Sequence, residues 1–212
     1  MHVETLVVGE FQVNCFLVWS EPRQAIVIDP GADANRIACL LKEQGLGVAA
    51  YVLTHGHVDH VSGLADLYDE FPAPVAMHPA DLTWAFTAAN HMLPFYPAPR
   101  PPTDIARRLQ DGQACSDGGL DYRVLSTPGH TPGCVCLHFA QERAVFTGDT
   151  LFAGSVGRTD LPRGDARQLT ASLARLARLA PETAVYPGHG PKTDLGQEQR
   201  TNYFMQSMEV SK

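Results

Sequence analysis

The sequence predicts a mixed α/β protein in which a series of strands followed by helices occurs twice. Short apolar runs of β-type composition recur in both halves of the 212 residues, and Gly or Pro ends many of them. Longer segments between these runs carry apolar residues at helical spacing. We expect a single domain over residues 1–212, because this length suffices for a substantial core.

The first half is predicted to contain five strands and three helices. The strands are expected at residues 4–8, 15–19, 25–28, 49–53 and 73–77. The helices are expected at 33–44, at 62–71 and from 78 onward. Gly45 ends the first helix, Ser62 caps the start of the second, and Pro79 lies in the first turn of the third.

Residues 90–104 form a segment with five prolines, which excludes a regular helix or a central strand. We expect a rigid surface loop. Its larger apolar side chains are Met92, Leu93, Phe95 and Tyr96. They are typical of a pocket wall or lid, and equally of a loop whose side chains only pack against the body of the protein.

The second half repeats the arrangement of strands and helices. Strands are expected near residues 114–116, 120–126, 134–139, 143–147 and 183–186. Helices are expected at about 165–179 and 195–208.

Composition limits the class of function. The net charge of −7, from 16 basic and 23 acidic residues, disfavours nucleic-acid binding, which depends on Lys and Arg against phosphate. No apolar run is long enough to span a membrane, and Met1–Glu4 lacks the basic region of a signal peptide. We therefore expect a cytoplasmic protein. The five cysteines are irregularly spaced and are expected to be free thiols in the core.

The most informative segment is residues 54–60, Thr-His-Gly-His-Val-Asp-His. His55, His57, Asp59 and His60 offer the nitrogen and oxygen ligands that zinc and neighbouring transition metals prefer. In an extended segment His55 and His57 project to the same side, because the side-chain period of a strand is two. A purely structural metal site is the alternative, but such sites usually close with four ligands and are rich in Cys.

Three further candidates, His130, Asp149 and His189, each follow a short apolar run and a Gly or Pro. If these strands share a sheet or a pair of sheets, their ends meet at one edge, where ligands and catalytic residues collect.

The order and spacing of these residues resemble the metallo-β-lactamase superfamily across nearly the whole chain. Within it, the sequence is similar to the small glyoxalase II-like hydrolases. The supporting stretches are Val27–Gly31, Thr127–Gly133, Gly148–Asp160, Pro187–Pro191 and Gln199–Phe204. The resemblance implies a four-layer αββα sandwich, in which two sheets pack face to face with helices outside.

The resemblance also implies two divalent metal ions, with zinc favoured and iron or manganese as alternatives. The first metal would be bound by His55, His57 and His130, the second by Asp59, His60 and His189, and Asp149 would bridge them. A metal-bound hydroxide would be the nucleophile, with Asp59 and Asp149 as catalytic carboxylates.

Asp29 is expected to accept a hydrogen bond from a metal-bound histidine, which fixes the orientation of the ring. The alternative is a plain strand-end Asp before the Pro30-Gly31 turn.

The glyoxalase II-like resemblance implies hydrolysis of hydroxyacyl-glutathione thioesters, with S-lactoylglutathione as the type substrate. Arg158 is the first candidate to bind a glutathione carboxylate and Arg163 the second, although Arg158 could instead pair with Asp160. Two features depart from the pattern. Only 23 residues follow His189, so the C-terminal helical domain that helps to hold glutathione is not expected. Relatives often have Pro-Gly-Gly where this chain has Pro162-Arg163-Gly164.

Other functions compete with the hydrolase. A persulfide dioxygenase keeps the same histidines but uses a single iron at the first site. A β-lactamase, a nuclease and a non-catalytic metal-binding protein are weaker alternatives. The expected partner is a small-molecule thioester, and the choice between a monomer and a homodimer stays open.

Overall fold

Two six-stranded β-sheets form the centre of the molecule in a computed structural model that describes residues 1–21 and 23–206. The first sheet has its strands in chain order: β1 (His2–Val8), β2 (Val13–Trp19), β3 (Gln24–Ile28), β4 (Gly47–Val52), β5 (Val75–Met77) and β6 (Arg107–Arg108). Its first three strands are antiparallel, and β3 to β6 are parallel.

The second sheet is built from later strands: β7 (Ala114–Asp117), β8 (Leu120–Ser126), β9 (Val135–Phe139), β10 (Ala144–Gly148), β13 (Ala184–Pro187) and β14 (Thr193–Asp194). Their spatial order is β14-β13-β10-β9-β8-β7. β10 and β13 are parallel, and the other pairs are antiparallel. A separate two-stranded sheet contains β11 (Leu151–Phe152) and β12 (Ser155–Val156).

Seven helices accompany the sheets in the described part of the chain: α1 (Ala34–Glu43), α2 (Val58–Val61), α3 (Leu64–Glu70), α4 (Pro79–Leu82), α5 (Ala166–Leu176), α6 (Leu195–Thr201) and α7 (Tyr203–Gln206). None of them is long and apolar enough to cross a membrane.

Strand β2 separates two hydrophobic layers, because successive side chains of a strand point to opposite faces. Cys15 and Leu17 pack into the layer beneath α1 and α3, whereas Phe16 and Val18 pack into the layer between the two sheets. All four side chains are buried. A strand buried on both faces has an almost continuous apolar sequence, and this strand reads Val-Asn-Cys-Phe-Leu-Val-Trp.

Helices cover the outer faces of both sheets. Ile37 of α1 and Leu64 of α3 pack on the first sheet. Leu173 of α5, Leu195 of α6 and Met205 of α7 pack on the second. The order of layers is therefore helix, sheet, sheet, helix, which confirms the predicted αββα sandwich.

One predicted helix is interrupted, and another is preceded by a short extra helix. The helix expected at 62–71 is observed as α3, and α2, which was not predicted, precedes it inside the histidine-rich segment. Gly63 separates them where a Cβ would lie 2.8 Å from the Pro30 carbonyl oxygen. The helix expected at 195–208 breaks at Asn202, whose ψ of 116° is extended. Its last two positions, 207 and 208, lie outside the described residues.

The cysteines differ from the prediction at one position. All five are free thiols, and four are buried, but Cys39 on α1 is exposed. Burial raises the pKa of Cys136 to about 11, so this thiol stays protonated at neutral pH.

Candidate metal centre

The predicted ligand residues follow strands that end at the same edge of the sandwich. Asp29 comes directly after β3, and His55 lies three residues after β4, which is parallel to β3. His130, Asp149 and His189 follow β8, β10 and β13. These three strands run in the same direction, because β9 is antiparallel to both β8 and β10, and β13 is parallel to β10. The structure therefore brings all the predicted ligands together.

The first group consists of His55, His57 and His130, whose ligand atoms lie within 4.8 Å of one another. His57 Nδ1 and His130 Nε2 are 2.8 Å apart. His55 Nε2 is buried and has no hydrogen-bond partner. Three imidazole nitrogens therefore face one small volume.

The second group consists of Asp59, His60 and His189, again within 4.8 Å of one another. His60 Nε2 and His189 Nε2 are 3.3 Å apart, and Asp59 Oδ2 lies 3.5 Å from His189 Nε2. Asp59 and His60 lie on the short helix α2, which begins directly after His57, and the His60 ring also packs on the ring of His55, at 4.1 Å between ring centres.

Asp149 lies between the two groups. Its Oδ1 is 3.4 Å from His60 Nε2, and its Oδ2 is 3.5 Å from both His130 Nε2 and His189 Nε2. Oδ1 is buried without a hydrogen-bond partner. One carboxylate thus reaches members of both groups, as a bridging ligand would.

The outer ring nitrogens of three histidines have their own partners. His130 Nδ1–H donates to the Arg158 carbonyl at 2.7 Å, and His189 Nδ1–H donates to the Phe11 carbonyl at 3.0 Å. His60 Nδ1–H donates to Asp29 Oδ2 at 2.9 Å. These partners assign the proton to Nδ1 in each ring, which leaves Nε2 as an electron-pair donor toward the site.

Asp29 connects the first-sheet ligands. It is 1% exposed and accepts hydrogen bonds from the Thr54 backbone N–H at 2.7 Å, the Thr54 hydroxyl at 2.6 Å and His60. The Thr54 hydroxyl oxygen lies 3.1 Å from His55 Nδ1, so it can accept the proton of that ring. The carboxylate therefore contacts one histidine directly and a second through Thr54, as expected of a residue that orients metal ligands.

Two histidines of the first group are held neutral. Burial and the neighbouring imidazoles lower the pKa of His55 well below its usual range, and burial with His130 lowers the pKa of His57 to about 4. Neutral imidazole is the form that binds metal.

Carboxylates set the electrostatics around the second group. Burial acts to raise the pKa of Asp149, but His60, His189 and His130 hold it well below its usual range. Burial acts to lower the pKa of His60, and Asp149 and Asp59 outweigh it and raise that pKa. The same carboxylates that favour a proton on His60 favour a bound cation at this place.

These residues fit a pair of divalent metal ions. Imidazole nitrogens and carboxylate oxygens are ordinary ligands of zinc, iron and manganese. Buried polar atoms usually have a partner, and two atoms of the predicted ligands, His55 Nε2 and Asp149 Oδ1, have none in the described residues. Both are competent metal ligands.

Asp81, which lies in the first turn of a predicted helix, connects two ligand loops. Its fully buried carboxylate accepts from the Gly56 N–H at 2.8 Å, the Thr131 hydroxyl at 2.6 Å and the Gly133 N–H at 2.8 Å. Gly56 lies between His55 and His57, and Thr131 follows His130. An Asp in the first turn of a helix has an ordinary local explanation, so nothing in the sequence indicates this role.

A cavity of about 490 Å³ opens onto the two groups. Its apolar and aromatic lining residues include Phe11, Val58, Trp84, Met92, Leu161 and Pro162. The proline-rich segment takes both predicted roles. His91 and Met92 line the cavity, while Tyr96 is buried and packs on Phe11 at 5.1 Å between ring centres.

The two candidate arginines border this cavity in different states. The exposed Arg158 side chain forms a two-point ion pair with Asp160, at 2.7 and 2.8 Å. The guanidinium of Arg163 lies over the ring of Trp84, 4.8 Å from its centre.

Comparison with known proteins agrees with this geometry. The family model described as the metallo-beta-lactamase superfamily matches residues 8–189. The chain belongs to the metallo-beta-lactamase superfamily. Members of this superfamily are typically metal-dependent hydrolases, and their fold binds divalent metals.

Three similar proteins of the superfamily are informative. The chain is 34% identical over 210 residues to the hydroxyacylglutathione hydrolase GloC of Haemophilus influenzae, covering 98% of this chain and 99% of that protein. It resembles the crystal structure of the BLEG-1 B3 metallo-beta-lactamase with a TM-score of 0.90 and 33% identity, over 96% and 99% of the two chains. It resembles TTHA1623 in a di-iron-bound form with a TM-score of 0.85 and 42% identity, over 95% and 100%.

Proposed function

We propose that this protein is a binuclear metal-dependent thioesterase that hydrolyses hydroxyacyl-glutathione thioesters of the S-lactoylglutathione type. The proposal of two metals is supported by the position of Asp149 between two groups of ligands. The substrate class is supported by the similarity to a hydroxyacylglutathione hydrolase over almost the full length of both proteins.

His55, His57 and His130 would hold one metal, Asp59, His60 and His189 the other, and Asp149 both. When bound, such a metal pair supplies a hydroxide nucleophile at neutral pH and polarises the carbonyl under attack. Zinc is the favoured metal, and the di-iron form of a similar protein makes iron the main alternative.

Hydrogen bonds hold the proposed metal ligands in a fixed orientation. Asp29 and the Phe11 and Arg158 carbonyls fix three histidine rings, so the ligands need not reorganise during the reaction. Asp59 and Asp149 border the space between the groups and can accept a hydrogen bond from the attacking oxygen.

Hydrolysis adds water across the thioester: a C–O bond forms, the C–S bond breaks, and the sulfur leaves as a thiolate that takes up a proton. A thiol has a pKa of about 8.5, so its anion is a good leaving group near neutrality. The reaction therefore requires no dedicated side-chain acid, which favours a thioester over an amide.

Two other activities are kept as alternatives. The similarity to BLEG-1, named as a B3 metallo-beta-lactamase, favours some hydrolysis of β-lactams, because the same attack on a carbonyl would open the ring. A persulfide dioxygenase would use one iron at His55, His57 and His130 alone.

The test is metal content per purified chain, measured beside hydrolysis of S-lactoylglutathione, hydrolysis of a β-lactam and oxygen uptake with glutathione persulfide. We expect two metals and thioester turnover. Asp149→Ala should lose most of the turnover and part of the metal, whereas Asp121→Ala, which removes an exposed carboxylate of β8, should change neither.

One iron per chain with oxygen uptake would replace the hydrolase by the dioxygenase. Near-normal turnover in Asp149→Ala would contradict the binuclear mechanism.

A further inference from the structure

Arg158 and Arg163 lie on one loop beside the ligands, but only one guanidinium is already paired. Arg158 Nε and Nη2 donate to the two carboxylate oxygens of Asp160, so its planar fork is occupied. Within residues 1–21 and 23–206, no carboxylate forms an ion pair with Arg163. Of the two cations, Arg163 is the one whose donors are available to a ligand.

The loop that carries Arg163 is fixed to the ligand segment at both ends. His130 Nδ1–H donates to the Arg158 carbonyl at 2.7 Å, and the Asp165 N–H donates to the Gly129 carbonyl at 2.7 Å. These bonds hold the backbone around Arg163 in a constant position relative to a proposed metal ligand.

Arg163 has an unfavourable backbone conformation for a residue with a side chain. Its φ of 76° lies in the left-handed region, where glycine has no steric penalty and arginine does. Glycine would form the same turn at lower free energy. A strained residue near a site justifies a hypothesis that its side chain has a function there.

Trp84 determines where the Arg163 guanidinium lies. The distance of 4.8 Å from the ring centre is within the range of about 6 Å for a cation–π contact. The same indole also packs against His57, at 5.6 Å between ring centres. The cation and a proposed ligand therefore contact one aromatic ring, and both residues line the cavity.

We propose that Arg163 is a specificity-determining residue that binds a carboxylate in the thiol half of the substrate. This inference rests on the proposed thioesterase function. The guanidinium lies over Trp84, a residue outside both ligand groups, which suits an anionic group away from the reacting carbonyl. A guanidinium can bind a carboxylate through two parallel hydrogen bonds. The apolar cavity wall next to it would contact the uncharged part of the thiol.

The test compares two thioesters of the same acyl group. S-lactoylglutathione carries carboxylates in its thiol half, and S-lactoyl-N-acetylcysteamine carries none. Arg163→Gly should raise the KM for S-lactoylglutathione about tenfold, as loss of a charged hydrogen bond does. The neutral thioester should be affected much less, so the preference between the two substrates falls.

Binding is measured in parallel with S-methylglutathione, a thioether that cannot be hydrolysed. Its Kd should rise by a similar factor in Arg163→Gly and by less in Arg163→Lys, which keeps the charge but not the planar fork. Arg178→Ala, which removes an exposed cation near the end of α5, is the matched control and should behave as wild type.

The variant is expected to fold, because glycine accepts the φ of this position. Equal changes for both thioesters, or an unchanged Kd for S-methylglutathione, would overturn the role of Arg163. Absence of thioester turnover in the wild-type protein would overturn the proposed function instead. The Kd of S-methylglutathione for Arg163→Gly, compared with that for the wild type, would still show whether Arg163 binds the carboxylate.

Discussion

Asp29 shows what a single residue contributes to the site. Its φ of 50° lies in the left-handed region, which Asp and Asn adopt more readily than other residues with a side chain. From this position its two carboxylate oxygens accept three hydrogen bonds, from Thr54 twice and from His60 once. Both oxygens of the Asp29 carboxylate therefore accept hydrogen bonds, and its negative charge faces the His60 ring.

Asp29→Asn is expected to weaken metal binding about 10–100-fold, because an amide group must place its N–H2 against one of three donors. The measurement is a competition titration with a metal chelator. Asp33→Asn is the matched control, since Asp33 has a φ of 52° but is exposed and accepts from Gly9 and Arg36 instead of a histidine. Equal affinities in the two variants would reduce Asp29 to a turn residue.

At the scale of strands and helices, a buried side chain that accepts hydrogen bonds from two loops holds those loops together at the site. The segment after β4 carries His55 and His57, and the segment after β8 carries His130. Asp81 at the start of α4 accepts hydrogen bonds from both segments. The relative position of three proposed ligands thus depends on a residue whose hydrogen bonds go to Gly56, Thr131 and Gly133, beside the ligands in the chain.

Asp81→Asn should destabilise the metal-free protein by about 2 kcal/mol, because one buried N–H loses its acceptor. It should also weaken metal binding to the first group, since the loops are less well held. Thermal unfolding without metal and a metal titration measure the two effects. Asp69→Asn removes an exposed pair with Arg100 and should have little effect on either. An Asp81 variant with normal metal affinity would show that the loops keep their position without it.

At the scale of the whole molecule, the proposed centre joins the two sheets. His55, His57, Asp59 and His60 follow a strand of the first sheet, and the remaining ligands follow strands of the second. Bound metals would therefore stabilise the packing of one half of the sandwich on the other, in addition to the apolar layer between the sheets.

Removal of metal should lower the Tm of the entire protein in a single transition. Binding stabilises the folded state by about 4 kcal/mol when free metal exceeds Kd a thousandfold. Calorimetry before and after chelation, with metal returned to the same sample, measures the loss and its reversal. A Tm that does not change with chelation would mean that the sheets hold together without the centre.

Features that depend on the local spacing of residues could be predicted from the sequence. The motif around His55 and the turn-bounded residues His130, Asp149 and His189 were predicted together, because each follows a strand. The roles of Asp81 and Trp84 were not predicted, since they depend on contacts between segments distant in the chain. The requirement for glycine at position 63 was not predicted for the same reason: a Cβ there would lie 2.8 Å from the carbonyl oxygen of Pro30. The two-residue strands, such as β6 and β14, are too short to show any periodicity.

The distribution of proposed ligands along the chain has a consequence for biosynthesis. The ribosome delivers the histidine-rich segment early, the bridging carboxylate much later, and His189 only after β13 has been made. A nascent chain that ends before this strand can present the first group of nitrogen ligands but cannot close the second. A fragment that lacks β13 would therefore offer metal an incomplete and exposed site, and the proposed centre would close only after His189 has been made.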